Sequence, residues 1–499
     1  MLDAFDPVLD PTFAAPDRAV LIARLKAVLP RDGLLSTPEA MRIYETDGLT
    51  AYRGLPGLVA LPRESSEVRA VLMICDDMGV PVVARGAGTG LSGGALPFPG
   101  CVLLSLSRLG KIIAIDPDSL TARVQPGVRN LAISDAAAPF GLFYAPDPSS
   151  QLACSIGGNV AENAGGVHCL KYGLTVHNLQ SVELVTLDGE TFMLGGAALD
   201  APGFDLMALI TGSEGLLGVV TEVTVKLTPI PDRAQALLAA FGDVRAAGET
   251  VTAIIAAGII PAGLELMDRV AHVAAEAYAH AGYPADAAAI LICELDGRPE
   301  DVADDLTRVA AICETTGATS VRVADDEAER LLFWAGRKGA FPALGRLAPD
   351  YYCIDGTIPR RCLAPTLEEI GRLAGVYGLG VANVFHAGDG NLHPLILYDA
   401  RMPGDMERAE ALGGAILEHC VAVGGTISGE HGVGREKINQ MCAQFSVAEI
   451  ETFAAIKAAF DPAGLLNPGK AIPTLARCAE FGAMHVHSGA VPFAHLDRL

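Results

Sequence analysis

His386 and His393 bracket the segment His386-Ala387-Gly388-Asp389-Gly390-Asn391-Leu392-His393, which lies between the apolar runs Val381 to Phe385 and Leu395 to Leu397. Asp-Gly between two such runs signals a two-residue hairpin turn. Counting outward from it pairs Gly388 with Asn391, Ala387 with Leu392 and His386 with His393. The two imidazoles are therefore expected as direct cross-strand neighbours, with β-carbons about 5 Å apart. Two neutral imidazoles that close chelate one divalent ion. A second segment, Thr426-Ile427-Ser428-Gly429-Glu430-His431-Gly432-Val433-Gly434, sets Glu430 beside His431. In extended backbone neighbouring side chains point opposite ways, so one can ligate while the other does acid-base chemistry. Two His and one carboxylate with an open position suit catalytic zinc, and manganese or iron use similar sets. The residues alone do not choose the metal.

Glycine loops form the second constellation. Arg85-Gly86-Ala87-Gly88-Thr89-Gly90-Leu91-Ser92-Gly93-Gly94 follows a strand and contains the pattern Gly88-x-Gly90-x-x-Gly93, a formal match to the Rossmann fingerprint. That fingerprint must open a helix, yet Pro97 and Pro99 follow and lead into the strand Val102-Leu103-Leu104. What remains is a run of backbone N–H groups able to wrap a pyrophosphate as a nest. Pro146-Asp147-Pro148-Ser149-Ser150 leading to Ser155-Ile156-Gly157-Gly158-Asn159 is a second loop, and Thr211-Gly212-Ser213-Glu214-Gly215-Leu216-Leu217-Gly218 is a third. Three such loops close together call for a large, extended cofactor.

The elements that must hold these groups are legible in outline. Residues 18 to 30 read as a helix; Leu58 to Pro62, a helix from the Ser65-Ser66-Glu67 signal and Val82-Val83-Ala84 make a β-α-β unit. Runs at 111–115, 181–187 and 219–227 read as strands. Beyond Pro229-Ile230-Pro231, helices near 246–256, 268–281 and 300–316 alternate with strands such as Ala289 to Leu295. The expected division is an N-terminal helical segment (1–54), an α+β domain (55–230), a second α+β substrate or cap domain (231–425), a C-terminal helical segment completing the site (426–470) and a tail (471–499). His485, His487 and His495 in that tail are read as no site. At 499 residues the chain exceeds one core. A net charge of -23 repels nucleic acid and anionic membranes, so an anionic substrate needs a local cation. The acidic N-terminus carries no export signal, which makes the cytoplasm the default location. The apolar stretch Val251 to Leu264 is too short to span a bilayer. With 11 cysteines and no Cys-x-x-Cys pair, the expectation is reduced, mostly buried thiols without a disulfide, zinc-ribbon or iron-sulfur framework.

In the order and spacing of its three loops, residues 55 to 230 resemble the FAD-binding domain of vanillyl-alcohol-oxidase-type (p-cresol-methylhydroxylase-type) flavoproteins. Nearly the whole chain resembles the branch that contains the FAD-binding subunits of bacterial glycolate oxidases, with D-lactate and D-2-hydroxyglutarate dehydrogenases as near relatives. The resemblance implies an α+β fold in which a cap domain and a returning C-terminal segment close over FAD. It places the pyrophosphate on Arg85, Gly86, Ala87, Gly88, Thr89, Gly90, Ser92, Gly93 and Gly94. The rest of the FAD falls to Pro146, Asp147, Pro148, Ser149, Gly157, Gly158, Asn159, Gly218, Val220 and Asn467. Residues 85 to 94 contain no His or Cys, so non-covalent FAD is expected. The motif of the hydroxyglutarate enzymes maps metal ligation onto His386, His393 and Glu430, the base onto His431, and the substrate-carboxylate cation onto Arg337. Cys353 stands where those enzymes carry a second basic residue and Phe341 where they carry Thr, which disfavours a second substrate carboxylate.

The implied reaction is hydride transfer from the α-carbon of a short 2-hydroxy acid, glycolate or D-lactate, to flavin N5, with metal-assisted loss of the hydroxyl proton. A second flavin-like subunit and an iron-sulfur subunit are implied as electron acceptors, docked peripherally at the inner membrane. D-2-hydroxyglutarate oxidation, a non-catalytic flavin-binding subunit of such a complex, and the non-redox ether-lipid synthase branch of the same fold are the rival readings.

Overall fold

The computed structural model describes residues 17–198, 203–474 and 478; His485, His487 and His495 lie outside the described residues. The first helix, α1 (Arg18–Val28), is capped by Asp17, whose carboxylate accepts the N–H groups of Ala19 and Val20. It ends before Pro30 because Leu29 turns extended, as the residue before a proline prefers. Strands β1 (Leu34–Leu35), β2 (Leu58–Ala60), β3 (Val82–Arg85) and β4 (Val102–Ser105) form a sheet of order β1-β2-β4-β3. The helix α2 (Ser65–Asp77) connects β2 to β3 and packs on α1. β4 is buried along its length and pairs in parallel with both neighbours, the pattern of a strand covered on two faces. The glycine loop leaves the carboxyl end of β3.

A second, antiparallel sheet holds β5 (Ile112–Asp116), β6 (Thr121–Val124), β7 (Leu179–Val185), β8 (Thr191–Gly195) and β9 (Val219–Lys226), in the order β5-β6-β9-β7-β8. The short helix α3 (Ile156–Glu162) starts at Ser155, whose hydroxyl accepts from Gly158 N–H, and lies on β9.

The third sheet has nine strands. Six are β10 (Arg233–Phe241), β11 (Gly263–Asp268), β12 (Ala289–Gly297), β13 (Ala318–Val323), β14 (Asp350–Cys353) and β15 (Gly356–Thr357). The other three are β16 (Gly380–His386), β17 (Asn391–Leu392) and β18 (Pro394–Tyr398). The main path runs β13-β10-β12-β11-β16-β17-β15, and β18 joins β14 to β16. Along β10 the side chains alternate between two cores. Leu237, Ala239 and Phe241 face one, with Val251, Ile254 and Leu291; Ala236, Leu238 and Ala240 face the other, with Ile290 and Trp334. The helices α4 (Val244–Ala256), α5 (Arg269–Ala279), α6 (Pro299–Thr315), α7 (Glu327–Lys338), α8 (Leu363–Tyr377) and α9 (Asp405–Ala422) cover the two faces.

After α10 (Val447–Phe460), entered through a Ser446/Glu449 capping box, the chain returns to the first sheet. Val82 N–H donates to Leu465 O and Asn467 N–H to Val82 O, each at 2.8 Å. The expectation that the thiols are all reduced is overturned at one place. Cys442 and Cys478, 36 residues apart, form a disulfide with a Cα separation of 5.3 Å; spacing alone gives no sign of a pair brought together by the returning chain. Nine cysteines are free, and all but Cys362 are buried. No helix among the described residues is long and apolar enough to cross a membrane.

Candidate active site

The three sheets surround a cavity of about 410 Å³ lined by residues 84–91, 94–95, 148–150, 157–159, 213–215 and 218–220, together with Lys338, Phe341, Tyr351, His393, Glu430 and His431. Of the residues expected to hold FAD, Arg85, Gly86, Ala87, Gly88, Thr89, Gly90, Gly94, Pro148, Ser149, Gly157, Gly158, Asn159, Gly218 and Val220 are on this wall. The first loop packs so closely on α3 that a Cβ at Gly86 would meet Ser155 Oγ at 2.3 Å, while beside Gly90 the space is open. The backbone N–H groups of Gly86 to Leu91 donate to no backbone acceptor among the described residues. A glycine-walled cavity edged with free N–H groups fits a pyrophosphate.

Five of the expected FAD residues are off the wall, each engaged elsewhere. Ser92 O accepts the N–H groups of Arg435 and Glu436, and Gly93 lies against Arg435. Pro146 O accepts from Asn130 Nδ2, and Asp147 pairs with His168 Nδ1 at 2.9 Å. Asn467, expected at the flavin, instead donates to Gly94 O and Glu214 O. It ties the first and third loops together from behind.

The hairpin carrying the histidines forms with a different register. His386 pairs with Asn391 and Asn383 with Pro394, so the turn spans four residues, 387–390. A two-residue type I′ turn needs positive φ at both central residues, and only Gly390 has it, at φ 74°; Asp389 does not. The correction moves His393 by two positions, which in a strand keeps it on the same face. His386 and His393 thus meet as diagonal rather than direct neighbours, their rings T-shaped with centroids 5.1 Å apart.

Glu430 reaches both rings. Its Oε1 lies 3.2 Å from His386 Nε2 and 3.0 Å from His393 Nε2, and three ligand atoms from these residues fall within 4.8 Å of one another. Burial would raise Glu430, but His386, followed by His393, holds it well below the usual carboxylate range. His386 is raised well above an ordinary imidazole; burial opposes this, and Glu265 and Glu430 outweigh it. Two carboxylates on one buried imidazole create a local demand for positive charge, which a divalent cation satisfies as a proton does. The donor set therefore fits a metal.

The backbone at 430–431 is bent rather than extended, so both side chains turn inward, contrary to the strand-like alternation expected from sequence. The His431 ring stacks on His393 at 5.0 Å and 13°. Burial, the largest influence, pushes its pKa down to about 4, and its buried Nδ1 has no hydrogen-bond partner. Asp355 imposes the bend. Its carboxylate accepts the N–H groups of Gly429, Glu430 and His431 at 3.0, 3.2 and 2.9 Å. Lys437 Nζ is 3.0 Å from it, both groups fully buried. Beyond His431, Glu214 of the third glycine loop takes the N–H groups of Val433 and Gly434, each at 2.7 Å.

Arg337 is not on the cavity wall. It is 2% exposed, drawn inward by Glu265, which it meets through Nε at 2.8 Å and a terminal nitrogen at 2.7 Å. Glu265 in turn takes His386 Nδ1 at 2.7 Å. The cation of α7 on the wall is the neighbouring Lys338. Glu265, Asp355, Lys437, Glu214 and Lys338 were not singled out by sequence; a glutamate amid Leu264, Leu266 and Met267 in a strand was the one visible anomaly among them. A carboxylate behind a ligating histidine fixes the ring and its tautomer. Replacing Glu265 with Gln is expected to weaken metal retention about 10 to 100-fold, measured as metal content after dialysis against graded chelator; unchanged retention would remove Glu265 from the site's support.

Comparison with known proteins places this architecture. Residues 56–195 match the FAD binding domain family and residues 230–471 the FAD linked oxidases, C-terminal domain. The chain is 64% identical over 494 residues to the glycolate oxidase subunit GlcD of Escherichia coli K12, covering 99% of both chains. It is 42% identical to that of Bacillus subtilis 168, over 86% of this chain and 91% of the relative. A D-lactate dehydrogenase of Anaerostipes hadrus is 30% identical, over 90% of this chain and 96% of the relative. Among solved structures, 4-ethylphenol oxidase from Gulosibacter chungangensis superposes with a TM-score of 0.78 at 18% identity, covering 93% of this chain and all of that one. p-Cresol methylhydroxylase gives 0.77 at 18%, covering 92% and 97%. The α+β fold is thus that of the p-cresol-methylhydroxylase type, as the glycine loops led one to expect, and the chain belongs to the FAD-linked oxidases, as one of their FAD-dependent oxidoreductases.

Proposed function

We propose that this chain oxidises glycolate to its 2-oxo acid, with D-lactate as the nearest alternative substrate. The observation that carries the reading is His431, a largely buried imidazole with a depressed pKa, stacked beside the His386, His393 and Glu430 cluster on the wall of a glycine-lined cavity. Identity of 64% to a glycolate oxidase subunit supports the choice of substrate. Bound FAD would supply the hydride acceptor, and an ion held by His386, His393 and Glu430 would supply charge against the substrate oxygen. His431 is neutral at working pH and takes the hydroxyl proton on a ring nitrogen. Lys338 offers its ammonium to the substrate carboxylate, in place of the Arg337 role expected from sequence, while Arg337 positions His386 through Glu265. Phe341 and Tyr351, edge to face at 6.2 Å, leave the wall around Lys338 apolar and suited to a short acid.

The division that accompanies this reading is a FAD-binding unit at 55–230, a cap at 231–425 and a closing segment at 426–470. Ser92, Gly93, Pro146, Asp147 and Asn467 shape the FAD loops from outside the wall. Reduced flavin needs an onward acceptor, and most of the free cysteines are dispersed among separate cores. We assign that role to a second flavin-like subunit and an iron-sulfur subunit, which would hold a cytoplasmic protein at the inner membrane.

The test is anaerobic bleaching of the flavin band by glycolate, D-lactate and D-2-hydroxyglutarate, before and after chelation. Bleaching by glycolate that chelation abolishes is the expected result. Faster bleaching by D-2-hydroxyglutarate would overturn the substrate, and no bleaching by any of the three would leave a flavin-binding subunit without this activity.

A further inference from the structure

Beside the His386, His393 and Glu430 set, a second group of donors converges. Cys353 Sγ and one ring nitrogen each of His393 and His431 lie within 4.8 Å of one another. Cys353 ends β14, is 3% exposed, and among the described residues its thiol makes only a long hydrogen-bond contact, 3.7 Å to Ile354 O. Tetrahedral zinc, with bonds of about 2.0 to 2.3 Å, holds its ligand atoms about 3.5 Å apart. The three donors therefore need side-chain movements of roughly 1 Å to close on one ion. A thiolate with two imidazoles is a softer set than two imidazoles with a carboxylate, so the two sets differ in the ions they prefer while drawing on the same His393.

We propose that Cys353, His393 and His431 form a second, inhibitory site for a soft divalent cation, Zn²⁺ or Cd²⁺, exclusive with the His386, His393 and Glu430 set. The inhibition rests on the proposed role of His431 as proton acceptor; the binding does not. An ion in this site occupies the His431 lone pair and withdraws His393 from the other set. Its capture forms one metal–sulfur bond, releases the Cys353 thiol proton to solvent and changes no oxidation state. The cavity reaches His393 and His431, which gives the ion its route to the buried sulfur.

The experiment is a titration of the FAD-loaded protein with Cd²⁺, following the ultraviolet cadmium–thiolate charge-transfer band and the rate of flavin reduction by glycolate in parallel. The expected result is a band that grows as the rate falls. In Cys353→Ser the band is lost, and the Cd²⁺ concentration for half-inhibition, relative to that variant's own rate before Cd²⁺ is added, rises at least about tenfold. No band in the wild-type protein, a band that survives in Cys353→Ser, or equal Cd²⁺ sensitivity of the two would overturn the proposal. If glycolate fails to reduce the flavin, the functional reading falls and the band alone still decides the site. Cys353→Ala, checked by its flavin spectrum, serves if the serine variant does not fold.

Discussion

Replacing His431 with Asn is expected to slow glycolate-driven reduction of the bound FAD by about 10²-fold or more, with flavin content unchanged. Asn keeps a polar group of similar reach but has no basic nitrogen, so the substrate hydroxyl loses its proton acceptor. Stopped-flow bleaching under anaerobic conditions isolates this step from reoxidation. The pH dependence follows from the same group. Its pKa is pushed down to about 4, chiefly by burial, so the ring is protonated and idle below that value and competent above it. The acidic limb of kcat/KM should therefore fall near pH 4 rather than near 6.5, where an exposed histidine titrates. A variant that reduces flavin at the wild-type rate, or an acidic limb near 6.5 that His431→Asn leaves in place, would assign the proton to another group.

The legible and illegible parts of this site differ in range. His386 and His393 were found because a strand repeats every two residues: the turn was misjudged by two positions, and the face survived because two is an even number. Glu430 and His431 were legible as residue types, but not in direction. Their orientation is set by Asp355, 75 and 76 positions away, through hydrogen bonds to backbone N–H groups. No local pattern encodes that. Arg337 shows the same limit. Its residue type was readable, but whether it faces the cavity depends on Glu265, 72 residues earlier, arriving on a neighbouring strand. The glycine loops were readable because close approach of backbone to a ligand removes side chains, and that leaves its mark in composition. Asn467 was expected at the flavin; its hold on the carbonyls of Gly94 and Glu214, 373 and 253 positions away, is again beyond any local pattern.

Lys437→Met is expected to cost about 3 to 5 kcal/mol of stability, the usual loss when one partner of a buried ion pair is removed. Lys437 and Asp355 are both fully buried, so Met fills the volume of the lysine stem but leaves the carboxylate without its counter-charge. The lysine also holds Gly432 O at 2.8 Å and Ser428 Oγ at 3.3 Å, which pins both sides of His431. The penalty should depend on pH. In the wild-type protein burial pushes Asp355 upward, but Lys437, the largest opposing influence, and then His431 and His393 hold it below the usual carboxylate range. That contribution to stability is present above the unfolded carboxylate pKa of about 3.9 and is lost only as pH falls through the depressed folded value. Without the ammonium, burial dominates and the folded pKa rises. The variant is then least penalised below pH about 4 and loses stability as pH climbs through the raised value. Denaturant midpoints of the two proteins at pH 5 and pH 8 measure this directly. A gap that is wider at pH 8 supports Asp355 as the charged hub that turns Glu430 and His431 into the cavity. A gap independent of pH would mean that lost packing and hydrogen bonds, rather than an orphaned charge, account for the loss.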